Sequence, residues 1–226
     1  PRTDPDHIVS LLSRMNSPHC PRLHDVVTGP GSQTALVLPR LRGGSLSHFL
    51  SMRDEIDAAE AVTLLVPVLQ VLDALHLQYG THGTIQPDTV HFDETATPVL
   101  LGWGTAIDHK IALRQRTSAA SEFRERVVDD YRQFLDLAQV VLRRVPALPD
   151  QASGFLTESV ARLETGRREP FVSECEEWLF SLAEPIPIRL LVPFDWGAQQ
   201  ERGLAEINLE VAEAVARQRQ SSRRLL

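Results

Sequence analysis

Lysine is all but missing: of the 23 basic residues only Lys110 is a lysine, and the others are arginines. Together with abundant Ala, Val, Leu and Pro, that usage suggests a GC-rich bacterial genome. Cysteine is scarce too. Cys20 and Cys175 stand far apart with no metal-ligand neighbours, which excludes a disulfide framework and a zinc cluster. Two reduced, partly buried thiols and a cytosolic setting are expected instead. No apolar run reads as a membrane span, and the N-terminus carries no signal-peptide pattern. Positive charge is in deficit, and a net −7 argues against a general nucleic-acid binder. What remains is ordinary for a globular protein: 226 residues, 42% hydrophobic and 23% charged, enough for one large domain or one and a half, with a real core.

Along the chain, residues 5 to 15 place Ile8, Leu11, Leu12 and Met15 on one helical face, with Pro5 suited to a first turn. Arg22 to Thr28 and Ala35 to Leu38 flank the turn signal Gly29-Pro30-Gly31, so a β-hairpin is expected over 22–38. Gly43-Gly44-Ser45 follows, with Ser45 as a helix N-cap. Ala58 to Leu77 is the longest regular helix and is apolar enough to be buried. Pro67 should kink it or mark its first turns, and His76 is expected as a packed or solvent-edge residue. Tyr79 to Gly104 then gives a polar loop, a short β-like VHF, a turn, a strand PVLL and Gly-Trp-Gly. Gly104 to Arg126 reads as polar and irregular. Val127 to Val145 reads as a second buried helix with Asp130 near its start, followed by two shorter helices over 150–184 joined by ETGRREP. A proline-broken linker, Glu184-Pro185-Ile186-Pro187, leads to LLVPFDW and to an amphipathic helix over 205–218 with Ile207, Val211, Ala214 and Val215 on one side.

The order helix, loop, hairpin and glycine-flanked aromatic resembles the core of the protein kinase family, of bacterial Ser/Thr type. There the loop reads His-Arg-Asp-Leu-Lys-Pro-Glu-Asn and the second strand ends in Asp-Phe-Gly. His82, Ile85, Pro87 and Asp88 match the loop, and Trp103 and Gly104 match the end of the hairpin. The resemblance covers roughly residues 5 to 182. It implies an α+β protein kinase-like fold, with a mostly α-helical large lobe and a truncated β small lobe. Residues 1–38 would be the small-lobe remnant (helix C and a hairpin), 39–183 the large lobe, and 184–226 a linker with the amphipathic helix. The strands, glycine-rich loop and lysine that come earlier in the family would lie outside this chain.

The same resemblance marks what has changed. Thr84 stands where the family has its catalytic aspartate, Gln86 its loop lysine, Thr89 its metal-binding asparagine and Gly102 its metal-binding aspartate. It implies a nucleotide pocket at Leu38, Pro39, Leu41 and His91, with ATP as its ligand, while the substitutions argue against magnesium. A displaced carboxylate, Asp88 or Asp93, is the available substitute. His82, Trp103 and Gly104 would be packing residues, and Glu122 in Ala120-Ser121-Glu122 would pair with Arg168 to close the activation segment. Thr117, Ser118 and Ser121 would be candidate phosphorylation sites. Asp130 would hold the loop backbone, although a helix start favours an aspartate anyway.

The expected function is a catalytically impaired kinase-like domain, a pseudokinase, acting as a protein-interaction or signalling scaffold. Its partner would be a protein such as another kinase or a phospho-binding domain. One alternative is an active or weakly active ATP-dependent Ser/Thr protein kinase. The other is a membrane-proximal regulatory module, in which the C-terminal arginines lie against anionic lipid or flank a span; a solvated helix end explains them as well.

Overall fold

The computed structural model describes residues 5–29, 34–115, 119–146, 148, 150–164 and 171–190. One compact unit runs to Leu190; the expected C-terminal helix lies outside the described residues. The unit has a protein kinase-like fold, with a helix and a hairpin leading into a mainly helical lobe.

Its post is α3, Ala58–Leu77. The helix starts because Asp57 Oδ1 accepts from the Ala59 amide while the Glu60 carboxylate reaches back to the Asp57 amide, a capping box. Leu64, Leu65, Leu69, Leu72 and Leu75 are each at most 1% exposed and share one broad buried face of the helix. By length and apolar composition α3 could also cross a membrane, contrary to the sequence expectation, but here it is the core of the lobe. It continues through Pro67, which is neither a first-turn residue nor an end. The chain leaves it through Tyr79, whose φ of 61° lies in the left-handed region.

Two more helices complete the lobe: α5, Ala119–Leu142, and α7, Phe171–Leu182, both packed on α3. Between them α6, Asp150–Glu164, packs on α5. The expected irregular stretch before α5 is shorter than the sequence indicates. A helical turn, α4 at Lys110–Gln115, precedes α5, and α5 begins eight residues before the expected Val127. The charged side chains of its first turns hid it, although Ala119 and Phe123 already face inward there.

The strands are short and antiparallel. β1, Asp25–Thr28, pairs with β2, Thr34–Val37, in a sheet of their own that packs Leu36 on the core and leaves Val26, Val27 and Val37 exposed. β3, Gly44–Ser45, pairs with β5, Val90–Phe92, which pairs with β6, Pro98–Leu100. Ser45 caps the following short helix α2, Leu46–Ser51, by accepting from the His48 amide at 3.2 Å. β4, Gly80–Thr81, pairs with β7, Ile107–Asp108. Two-residue ladders such as β3, β4 and β7 carry no periodic signal, so sequence patterning could not register them.

The first helix, α1 at Pro5–Arg14, buries Ile8, Leu11 and Leu12 and is bolted to the lobe through one carboxylate. Asp108 Oδ2 accepts from Ser10 Oγ at 2.7 Å and from the Arg14 guanidinium at 2.6 Å. The Asp108 amide in turn donates to His7 Nδ1 at 3.1 Å. Three side chains of one helix face therefore converge on one residue of β7. Asp108→Ala should lower unfolding stability by about 2 kcal/mol, because it strands a partly buried guanidinium and a hydroxyl. Asp129→Ala, which removes an exposed pair with Arg132, should cost under ~1 kcal/mol in the same urea titration.

Candidate functional site

The polar loop between α3 and β5 is shaped by one aspartate. Asp130 is fully buried in the middle of α5, so the helix-start explanation for it does not apply. Its Oδ2 accepts from the His82 amide at 2.8 Å and its Oδ1 from the Gly83 amide at 2.7 Å. His76 Nε2 lies 2.9 Å from Oδ2. Burial alone would raise the Asp130 pKa, but the bond from His76 and the two amides outweigh it and hold the carboxyl below its usual range. His76, expected as an ordinary packed side chain, is a buried partner of this carboxylate and sits edge-on to Tyr131 at 4.8 Å. One helical turn beyond Asp130, Gln133 Oε1 accepts from the Ile85 amide at 2.7 Å. The sequence reading missed Gln133, though its i,i+3 spacing from Asp130 was the available signal.

Within that frame the family's reactive positions hold neutral groups tied to each other. Thr84 Oγ1 lies 2.7 Å from Thr105 Oγ1, and Thr105 donates to the His82 carbonyl at 2.9 Å. A threonine hydroxyl does not accept a proton at neutral pH. The Gln86 amide donates to Thr89 Oγ1 at 3.0 Å, and that hydroxyl donates back to the Gln86 carbonyl at 2.9 Å. Gly102 has φ 87°. A Cβ built there would meet Thr89 Cγ2 at 2.6 Å, too close for any real side chain without movement of Thr89. The methyl of residue 89 thus takes the space that a residue 102 side chain needs.

His82 is enclosed completely. Its Nδ1 accepts from the Thr84 amide at 3.3 Å, which places the proton on Nε2. Burial pushes its pKa down to about 4, against the opposing pull of the Asp130 charge. Trp103 crosses it edge-on at 5.0 Å and donates its indole N–H to the Leu100 carbonyl at 2.8 Å, so the larger aromatic has the partner it needs. Gly104 next to it is exposed, with nothing within 4 Å of a built Cβ.

Leu38, Pro39 and Leu41 form a half-buried run between β2 and β3, and His91 lies on β5 opposite Ser45. Burial pushes the His91 pKa down, opposed by Asp88. A magnesium ion takes near-octahedral oxygen ligands, mainly carboxylate, phosphate and water. Thr89 with its hydroxyl committed and Gly102 with no side chain do not fit it. Asp93 is no substitute, since its Oδ1 accepts from Thr95 N, Thr95 Oγ1 and Thr97 N at the turn end of the β5–β6 hairpin. Asp88 is exposed.

Of the expected closing pair only Glu122 lies among the described residues. Glu122 is exposed inside α5, not at the end of a loop, and faces Arg126 at 3.6 Å. Arg168, like Thr117 and Ser118, lies outside the described residues.

Comparison with known proteins agrees with this frame. No protein-family model matches the chain. Over 98 residues, 43% of the chain, it is 24% identical to death-associated protein kinase 2 of Mus musculus, and it spans about a quarter (26%) of that protein's length. Among solved structures it superposes on the Rad53 kinase domain with SCD2 at a TM-score of 0.61 and 14% identity, covering 80% of each chain. At that identity the likeness establishes the protein kinase-like fold.

The buried histidine makes stability depend on pH with a definite sign. The unfolded chain binds a proton at His82 near pH 6.5 and the folded chain only near pH 4. Its contribution is therefore complete above pH 6.5 and is lost as pH falls toward 4, by on the order of 3 kcal/mol. Asp130 acts in a lower window: its stabilisation is complete above the ordinary carboxylate range and is lost as pH falls through its depressed folded pKa. Urea unfolding of the natural chain and of His82→Gln at pH 7.5, 6 and 4.5 should show the natural chain losing more stability than the variant across this range. Parallel profiles would contradict it.

Proposed function

We propose that this protein kinase-like fold serves as a catalytically impaired domain, a pseudokinase, that holds a protein partner in place of transferring phosphate. The observation that carries the proposal is the packing of Thr89 against Gly102, which fills the metal-binding corner with a methyl group and leaves no carboxylate in it. Phosphoryl transfer depends on an orienting carboxylate and on cations that neutralise the phosphates. Each such electrostatic element contributes about 3–4 kcal/mol to a transition state, and Thr84, Gln86, Thr89 and Gly102 together supply none of them.

The retention of the loop geometry supports a binding role. Asp130, His76 and Gln133 hold the loop backbone although its side chains cannot perform the family's reaction. The partner we favour is a protein such as another kinase or a phospho-binding domain, met in the cytosol. ATP is a candidate ligand of the Leu38–Leu41 run without magnesium.

Thermal unfolding with ATP, in magnesium and in EDTA, tests this. A ligand a hundredfold above its dissociation constant stabilises the native state by about 2.7 kcal/mol. Equal shifts in both buffers, or no shift in either, are the expected outcomes; the first describes a nucleotide-sensing domain and the second a pure scaffold. A shift that needs magnesium would overturn the proposal in favour of a weakly active kinase. Gly102→Asp alone should not create magnesium dependence. It should destabilise the chain by about 1–3 kcal/mol, because Thr89 must move and the backbone is left-handed there.

A further inference from the structure

Beyond α7 the chain was expected to be a linker, yet residues 183–190, which form neither helix nor strand, are fastened at several points. Thr63 Oγ1, on α3, donates to the Ile186 carbonyl at 2.7 Å. Ile188 is 6% exposed and belongs to the hydrophobic core. The Arg189 amide donates to Glu60 Oε1 at 3.0 Å. Glu60 is itself a buried acid, gripped by the two terminal nitrogens of Arg53 at 2.9 and 2.7 Å. Burial would raise its pKa, but Arg53 and the amides of Arg189 and Asp57 hold it below the usual range.

Leu190 lies against the run between β2 and β3. A Cβ built on Gly43 would meet Leu190 Cδ1 at 2.8 Å, so the Leu190 side chain rests on the backbone of Gly43. The Gly43 amide donates to the Phe92 carbonyl at 2.8 Å, which fixes the start of β3 on β5. Pro185 and Pro187 stiffen the stretch between, since alternating prolines favour an extended, semi-rigid chain.

We propose that residues 183–190 are a strap tying α7, across the first turns of α3, to the run between β2 and β3 at Gly43, so that the strap sets the mobility of Leu38–Ser45. A displacement at Leu190 would reach the run directly, because the rod is stiff and its fixed points lie on the core. The strap is held mainly through its backbone and two apolar side chains, so it is insensitive to the identity of its exposed residues. This device does not depend on whether the domain transfers phosphate or binds ATP.

Amide hydrogen exchange on the full chain, without nucleotide, tests it. Leu190→Ala should speed exchange at Gly43 and Gly44 at least tenfold while the amides of α5 keep their natural rates. Faster exchange confined to 186–190, with Gly43 unchanged, would overturn the proposal. Should Leu190→Ala speed exchange everywhere, Pro185→Gly with Pro187→Gly decides, because it leaves every anchor in place and only softens the rod. In that variant a tenfold rise at Gly43 supports the strap, and an unchanged Gly43 overturns it.

Discussion

A carboxylate sealed inside a helical lobe must be matched by donors, and the donors Asp130 has found define the molecule. Two are peptide N–H groups of the loop after α3, and the third is a histidine at the end of α3 itself. Removing a charge-bearing partner from such a cluster typically costs about 3–5 kcal/mol, because the remaining groups are left unpaired in a place without water. The same three bonds fix α5 against α3 and fix the loop against both. Trp103 packs on His82, and β7 pairs with the strand leading into that loop, so the α1 anchor at Asp108 is set by this loop in turn.

The frame and the chemistry of this fold separate cleanly in the chain. Groups that hold backbone in position are charged or strongly hydrogen-bonded: Asp130 and His76, which are buried, and Gln133 and Asp108, which are half-buried. Groups at the family's reactive positions are neutral and turned toward one another, as with Thr84 and Thr105 or Thr89 and the Gln86 backbone. The corner at Thr89 and Gly102 shows steric matching, since each residue suits the other and neither suits a metal site.

Much of the fold was legible before any coordinates. The apolar stripe of α3 predicted both ends of that helix, and the punctuation around VHF and PVLL predicted the hairpin. The start of α5 was not legible, because charged residues in its first turns carry no core signal. Nor were the two-residue ladders, which stand on register alone. His76 illustrates a harder limit. A histidine on an apolar stripe has the same pattern whether it is merely packed or faces a buried acid, and the acid lies 54 residues away. The strap after α7 was hidden for a related reason. Its prolines suggest a linker by composition, while its attachment depends on peptide groups that every sequence possesses.

That attachment through peptide groups recurs in the loop, where Asp130 grips the N–H of residues 82 and 83 and not their side chains. Any residue except proline presents an N–H, so the loop's path is inherited separately from the identity of much of what it displays. Gly83 is constrained, with φ 83° and Thr105 close to a built Cβ. Thr84 and Gln86 are under no such backbone constraint from Asp130. The residues displayed at 84 and 86 can therefore change while the path of the loop stays the same.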